Sequence, residues 1–291
     1  MAAQQEEYKS DLVGATFPVD GEGRTYHLFV KPGDVNNRVV TCGDVGRVMR
    51  FAGLPGFKKT VEVTSPRGFV TISGDFEGVP ITIVSSLMGF PNLDFTVREL
   101  RAVVKGPMCW VRVGTCGSPQ EHVSLGDIAL GTDGYVSITR NPDGHGPNPV
   151  EGAARYWFSR PIKGDEQMHT LLEEELAKEL PKGAIRKGVC GSACTFYSSQ
   201  GRVLPHFNDN NADLIDELVA HQPTCMGLEM ESAHLADLAS NANPGYEMHV
   251  ASCAIIIAQR RKDEFASMDL KHEREFQCGI AAMRAVAAYK F

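Results

Sequence analysis

Residues 108–113 read Met-Cys-Trp-Val-Arg-Val, a run that places apolar side chains on both faces of any pleat it forms. Such a segment is a strand buried on both sides, so the rest of the chain has to supply a covering layer above it and another below. Arg112 interrupts the run near its carboxyl end. A guanidinium cannot shed its charge, and desolvating it alone costs several kcal/mol, so it needs an anionic partner. Residues 114–117 then read Gly-Thr-Cys-Gly, where the strand is expected to break into a turn offering a hydroxyl and open backbone. Ligands of open α/β sheets sit just beyond the carboxyl ends of strands. Arg112 with Thr115 therefore reads as half of an anion site. An arginine paired with a core carboxylate meets the same need, and this stretch does not separate the two.

With 291 residues the chain can bury a sizeable core. A formal net charge of -7 with no Lys/Arg block speaks against a nucleic-acid polymer as partner, while leaving room for a small anion in a local basic pocket. The 8 cysteines are scattered without a CxxC pair, and Cys109, Cys190, Cys253 and Cys278 lie in apolar runs. They read as reduced, buried thiols of a cytoplasmic protein. The amino terminus lacks the basic-then-apolar order of a signal peptide, and the longest strongly apolar run, 250–258, is too short to span a bilayer. No membrane partner is expected.

Taken in order, residues 1–25 are a polar, acidic extension, and the catalytic domain is expected over 26–291. A strand at 39–41 leads through a Gly43 turn into a short helix opened by Arg47 and ended by Gly53 and Pro55. Free backbone N–H groups there, with Arg47 beside them, suit an anion; an ordinary left-handed glycine turn has the same sequence. Residues 59–64 and 69–73 alternate as a hairpin with Arg67 near its bend, and 81–85 is a buried strand. A helix follows over 93–104, strands at 126–130 and 135–139, and a loop over 141–149 rich in breakers. An amphipathic helix at 166–180 precedes a strand at 187–193 and a helix at 213–220. Residues 227–232 start a further helix reaching 240, followed by a long strand at 248–258 and a final helix at 270–289. This order predicts a single α/β domain with a mixed, mainly parallel central sheet flanked by helices.

Four features stand together: the Gly-Asp-x-x-Arg turn at 43–47, Arg-Val-Gly-Thr-x-Gly at 112–117, a loop with Phe196, Gln200 and Arg202, and Glu-Met-Glu-Ser at 229–232. In this order and spacing the chain resembles the nucleoside phosphorylase-I superfamily, most closely its uridine phosphorylase branch, from His27 to the carboxyl terminus. The resemblance implies that phosphate is held by the Gly43 N–H, Arg47, Arg112 and Thr115, with Arg67 reaching it from a partner subunit. Several charge-assisted bonds suit a nucleophile that has to be aimed at an anomeric carbon. It further implies that Glu231 binds the ribose hydroxyls, that Met230 packs on the sugar, and that His27 of a partner subunit meets the 5′-hydroxyl. A carboxylate accepts hydrogen bonds only, so a vicinal diol is a natural match. Without the resemblance, Arg67 reads as a solvated turn residue, Glu229 as a helix-dipole partner and His27, expected on an early alternating strand, as a structural histidine.

The same resemblance has Phe196 stacking on the base, Gln200 and Arg202 bonding its edge, and Arg260 supporting the pocket. Glutamine supplies a donor and an acceptor, complementing a carbonyl beside a ring N–H as in uracil. Purine members usually carry an aspartate after the late strand, where this chain reads Ala258, Gln259, Arg260, Arg261. The implied reaction is reversible phosphorolysis of uridine, with deoxyuridine or thymidine as further candidates, to uracil and the sugar 1-phosphate. Arg47, Arg112, Gln200 and Arg202 would carry the chemistry. Phosphate is a co-substrate and no cofactor is implied; the assembly implied is a homodimer or a trimer of dimers.

Departures from the family pattern are the absence of prolines common in the Gly43 turn, the loss of a usual glycine at Leu87, and Phe90 nearby, which together bear on pocket width. Some relatives hold a structural cation between protomers through a glutamate beside the interface arginine. Gly68 stands there in this chain, leaving Asn92 and Asp94 as the oxygen donors. Two alternatives remain at this stage: a purine nucleoside or methylthioadenosine phosphorylase or nucleosidase of the same fold, and a catalytically silent nucleoside-binding protein.

Overall fold

The computed structural model describes residues 11–291. Residues 1–10, the first part of the extension expected over 1–25, lie outside the described residues. Residues 11–17 are exposed, and isolated bridges join Val13 to Val19 and Val19 to Thr25.

In chain order the elements are β1 (Arg38–Cys42), α1 (Val45–Ala52), β2 (Phe57–Thr64), β3 (Val70–Phe76), β4 (Val79–Ser85) and α2 (Phe90–Val103). They continue with β5 (Met108–Ser118), β6 (Ile128–Arg140), β7 (Tyr156–Phe158), α3 (Glu166–Glu179), β8 (Ile185–Ala193) and α4 (Leu214–His221). The chain closes with β9 (Cys225–Glu229), α5 (Ser232–Ser240), β10 (Met248–Gln259), β11 (Glu264–Phe265) and α6 (Met268–Ala288). All strands join one mixed sheet in the order β11-β10-β6-β8-β9-β5-β1-β4-β3-β2, with β7 on β6. β5 also pairs with β10, so β10, β6, β8, β9 and β5 close into a ring. The pairings of β1 with β4 and β5, of β5 with β10, and of β8 with β6 and β9 are parallel. The β2–β3–β4 meander is antiparallel.

β5 shows why both covering layers exist. Cys109, Val111 and Val113 pack in one core cluster with Phe51 of α1, Leu172 of α3 and Met283 of α6. Met108 and Trp110, facing the other way, pack with Leu93 of α2 and Leu235 of α5. Each large apolar side chain buried this way contributes roughly 1.5–3 kcal/mol. The single α/β domain and its flanking helices are as the order of segments predicts. Among the described residues no helix is long and apolar enough to cross a membrane.

Four local expectations are corrected. β5 does not break at Gly114 but runs to Ser118, because β10 supplies a ladder partner as far as Gln259. The segments expected at 126–130 and 135–139 are one strand, β6, whose register against β8 shifts between Leu130 and Gly134. Gly227 to Glu229 end strand β9 rather than opening a helix, and α5 starts at Ser232. His27 sits in a turn, not on a strand, between Thr25 and Val30, which share a backbone hydrogen bond of 2.9 Å.

The extension of β5 positions the site. On one side β5 follows β1 only as far as the Thr41–Arg112 pair, since β1 ends at Cys42. On that same side β9 rejoins it at Gly117 alone. The sheet is therefore split between Val113 and Cys116, where strand order switches direction and backbone and side chains are open to a ligand.

Candidate active site

A cavity of about 300 Å³ opens at this split, lined by Gly43, Arg47, Arg112, Thr115, Phe196, Gln200, Arg202, Met230 and Glu231 among others. Nine of the residues singled out from the sequence are thus brought together. The volume suits a small molecule.

Arg112 is 2% exposed, and it meets both requirements that its sequence left open. Its Nη1 lies 3.0 Å from Glu229 Oε2, and its Nη2 bonds Glu231 Oε2. Nε and Nη1 make no hydrogen bond among the described residues, so donors remain for a ligand. Burial works against the guanidinium, but Glu231 and Glu229 outweigh it and raise its pKa. Glu231 is pushed the other way from an ordinary ion-paired glutamate. Burial raises its carboxyl and Glu229 adds repulsion, while Arg112 opposes them.

Glu229 has a structural task as well. Its carboxylate accepts from the N–H groups of Glu231 and Ser232 at 3.0 Å each, satisfying the free amino end of α5. The hydroxyl of Ser192 also bonds it. Glu231 Oε1 accepts from the Gly89 N–H at 2.5 Å, tying the loop after β4 to α5. Met230, between the two acids, lines the cavity.

At the opposite wall, Arg47 is 3% exposed and held from α6: its Nε donates to Glu275 Oε1 at 2.9 Å. Its Nη1 donates to the Val113 carbonyl at 3.2 Å, one of the groups left open by the split in the sheet. Asp44 caps α1 by accepting from the Arg47 N–H at 2.7 Å. Gly43 is not in the left-handed region; it is required for close approach, since a β-carbon there would stand 2.8 Å from the Leu87 carbonyl oxygen. Leu87 itself has φ 50°. A glycine, usual at that position, adopts this conformation without the roughly 1–2 kcal/mol that it costs a residue with a β-carbon. Neither Leu87 nor Phe90 lines the cavity; Met88 does, and Phe90 instead stacks on His234 at 5.3 Å.

The third wall is the short 3₁₀ turn over Ser198–Gln200. Gln200 is 3% exposed, and its Oε1 accepts from Arg202 Nη1 at 2.6 Å. The Arg202 guanidinium lies 3.8 Å from the Phe196 ring centroid and donates to the Phe196 carbonyl at 2.7 Å. Burial lowers its pKa to about 10, with Arg260 adding repulsion, so it stays charged near neutrality. Arg260 does not line the cavity. It braces the turn from behind, donating to the Gln200 carbonyl at 2.8 Å and packing across Gly117.

His27 and Arg67 are not part of this cavity within one chain. His27 Nδ1 lies 2.6 Å from Glu99 Oε1, and its ring stacks on Phe95 at 3.7 Å. Arg67 lies 4.2 Å above the Tyr26 ring, which meets the His27 ring at 4.8 Å, so the two residues share one patch. Asp94 pairs with Arg98 and His234, and the Asn92 amide donates to the Met88 carbonyl. Among the described residues no group of three His, Cys, Asp or Glu side chains is arranged to hold a metal ion.

Sequence reasoning missed Glu275, Lys271 and Phe265 as neighbours of the site. Glu275 is fully buried on α6, yet it lies in the charged run over 271–275, where nothing local distinguishes the one buried carboxylate from its solvated neighbours.

Residues 37–289 match the sequence profile of the phosphorylase superfamily. A uridine phosphorylase of Thermococcus kodakarensis is 29% identical over 260 residues, covering 87% of this chain and 84% of that one. A guanosine phosphorylase of Halorubrum lacusprofundi is 27% identical over 213 residues, covering 73% and 76% respectively. A solved structure from work on two uridine phosphorylases of the oomycete Phytophthora capsici is 32% identical. It covers 97% of this chain and 100% of its own, with a TM-score of 0.89.

Proposed function

Because this chain belongs to the phosphorylase superfamily, we propose that it is a uridine phosphorylase, splitting uridine with inorganic phosphate into uracil and ribose 1-phosphate. The observation that carries the choice of base is the fixed carboxamide of Gln200. Arg202 holds its oxygen side at 2.6 Å, and Arg260 anchors its backbone at 2.8 Å. A buried amide locked in one orientation offers a donor and an acceptor to the carbonyl and N–H edge of uracil, and leaves itself unpaired against other edges.

In this reading phosphate lies between Arg47, Arg112, Thr115 and the Gly43 N–H, on the face of the sugar opposite the base. Glu231 and Met230 hold the ribose between them. The C1′–N1 bond breaks with its electron pair passing into the uracil ring, while a phosphate oxygen bonds C1′ from the other face. Positive charge developing on the sugar is stabilised by the bound anion, and negative charge on the departing base by Gln200 and Arg202. Thymidine and 2′-deoxyuridine are further substrates to test, and the assembly is a homodimer or a trimer of dimers in which Arg67 and His27 serve the neighbouring site.

Phosphate-dependent release of uracil from uridine, run beside inosine and thymidine, tests the assignment. Uracil release that needs phosphate is expected. Hypoxanthine release from inosine with uridine untouched would replace the proposal by a purine nucleoside phosphorylase.

A further inference from the structure

The charges around the cavity are unevenly distributed. At the Arg112 wall one guanidinium faces two buried carboxylates, Glu229 and Glu231. That arginine is neutralised before any anion arrives. A phosphate dianion therefore draws cationic charge from elsewhere, from Arg67 of the partner subunit in the proposed assembly and from the other walls of its own chain.

The surplus lies at the Arg47 wall. Glu275 Oε1 is taken by Arg47 Nε at 2.9 Å, and its Oε2 faces Arg50 Nη2 at 2.7 Å. Asp44, half exposed, adds a second carboxylate 3.4 Å from the same Arg50 nitrogen. A third cation reaches this group: Lys271, in the first turn of α6, lines the cavity with Gly43, Asp44 and Arg47. Its ammonium stands 3.8 Å from Glu275 Oε1, beyond hydrogen-bond distance of an oxygen that Arg47 already occupies. The order Lys then Glu four residues on is also the weaker orientation for a helical ion pair. Its side chain is 22% exposed and lines the cavity, and a flexible four-carbon stem lets its ammonium turn toward an anion bound there.

We propose that Lys271 is a further binding residue for the anionic co-substrate, delivered to the Arg47 wall by the first turn of α6. It rests on the phosphorolysis reading for its ligand, inorganic phosphate. The carboxyl-terminal helix thereby serves the anion site twice, fixing Arg47 through Glu275 and bringing a mobile ammonium of its own.

Titration calorimetry with inorganic phosphate alone tests this on the full chain and on Lys271→Gln and Lys271→Arg. The glutamine variant is expected to bind phosphate about tenfold more weakly, the loss of one charge-assisted bond. The arginine variant should stay within about twofold of the parent. Uracil affinity and melting temperature should hold in both. Phosphate affinity unchanged in Lys271→Gln overturns the proposal, as does a loss of melting temperature alone, which would make the lysine a counter-charge to Glu275. A parent protein that binds no phosphate overturns it too. Phosphate binding that depends on Lys271, in a protein that leaves uridine intact, would instead overturn the uridine assignment and leave Lys271 in place.

Discussion

Gly114 lies directly beneath the guanidinium of Arg112, two residues back on the same strand: a β-carbon added there would overlap Nη1 and stand 3.0 Å from Cζ. The side chain of Arg112 folds over this gap to reach Glu229 and Glu231. Gly114→Ala therefore has to push the guanidinium off both carboxylates, while the backbone of β5, extended at this point, accepts alanine. The expected result is a folded protein whose phosphorolysis falls at least tenfold, from a displaced charge-assisted donor worth about 1.5–3 kcal/mol. Arg112→Ala is the blunter change. It leaves two buried acids facing each other and should also cost roughly 3–5 kcal/mol of stability. Denaturant melts beside initial rates separate the two variants, and equal stability losses in both would reject the account of Gly114.

Gln200→Leu probes the base edge. Leucine fills similar space but leaves Arg202 Nη1 without its side-chain acceptor and the uracil edge unpaired. An unmatched polar group of this kind costs about 1–3 kcal/mol, so kcat/KM for uridine should drop about ten- to a hundredfold. Phosphate affinity should not move, because the anion wall lies on other elements. Uracil bound equally by variant and parent in calorimetry would remove Gln200 from the role.

The raised carboxyl of Glu231 predicts a particular dependence on pH. Burial is its chief cause, with Glu229 adding to it and Arg112 opposing. A raised value means that the proton is taken up at a higher pH than the usual 4.5, so the acceptor is weakened as solution becomes mildly acidic. The ratio of kcat/KM for uridine to that for 2′-deoxyuridine cancels the titration of phosphate itself. That ratio should decline on acidification with a midpoint above 4.5 in the parent and stay flat in Glu231→Gln. Parallel curves for the two proteins would mean that some other group reads the 2′-hydroxyl.

What could be read from the sequence, and what could not, follows from the range of the forces involved. Buried strands such as β5 and β10 announce themselves by long, mainly apolar runs, and Gly43 with Arg47 by turn chemistry, all within a few neighbours. The continuation of β5 through Gly114 to Ser118 depends on β10, more than a hundred residues away. Small residues there carry no strand signal of their own. β9 is legible only once β8 lies beside it, and its last residue, Glu229, looks like the start of a helix because it caps one. Glu275 meets Arg47 across 228 positions of sequence, a pairing no local pattern encodes. The missing glycine at Leu87 is visible in the sequence as a departure, while its left-handed backbone, φ 50°, is a feature of the folded chain alone.

The assembly is open to a complementation test. Arg67, Tyr26 and His27 form one continuous patch, with Arg67 above the Tyr26 ring and Tyr26 edge-on to His27, and neither Arg67 nor His27 lines the cavity of its own chain. A patch that carries both residues can enter one neighbouring site as a unit, and a two-fold interface makes the exchange mutual. Arg67→Ala and Gln200→Leu should each impair the enzyme. In a mixed dimer one site would carry both lesions and the other neither, so activity should partly return once subunits exchange. Native mass measurement establishes whether mixed dimers have formed. If they have and the activity stays at the level of the separate variants, Arg67 does not act across an interface, and the shared site has to be given up.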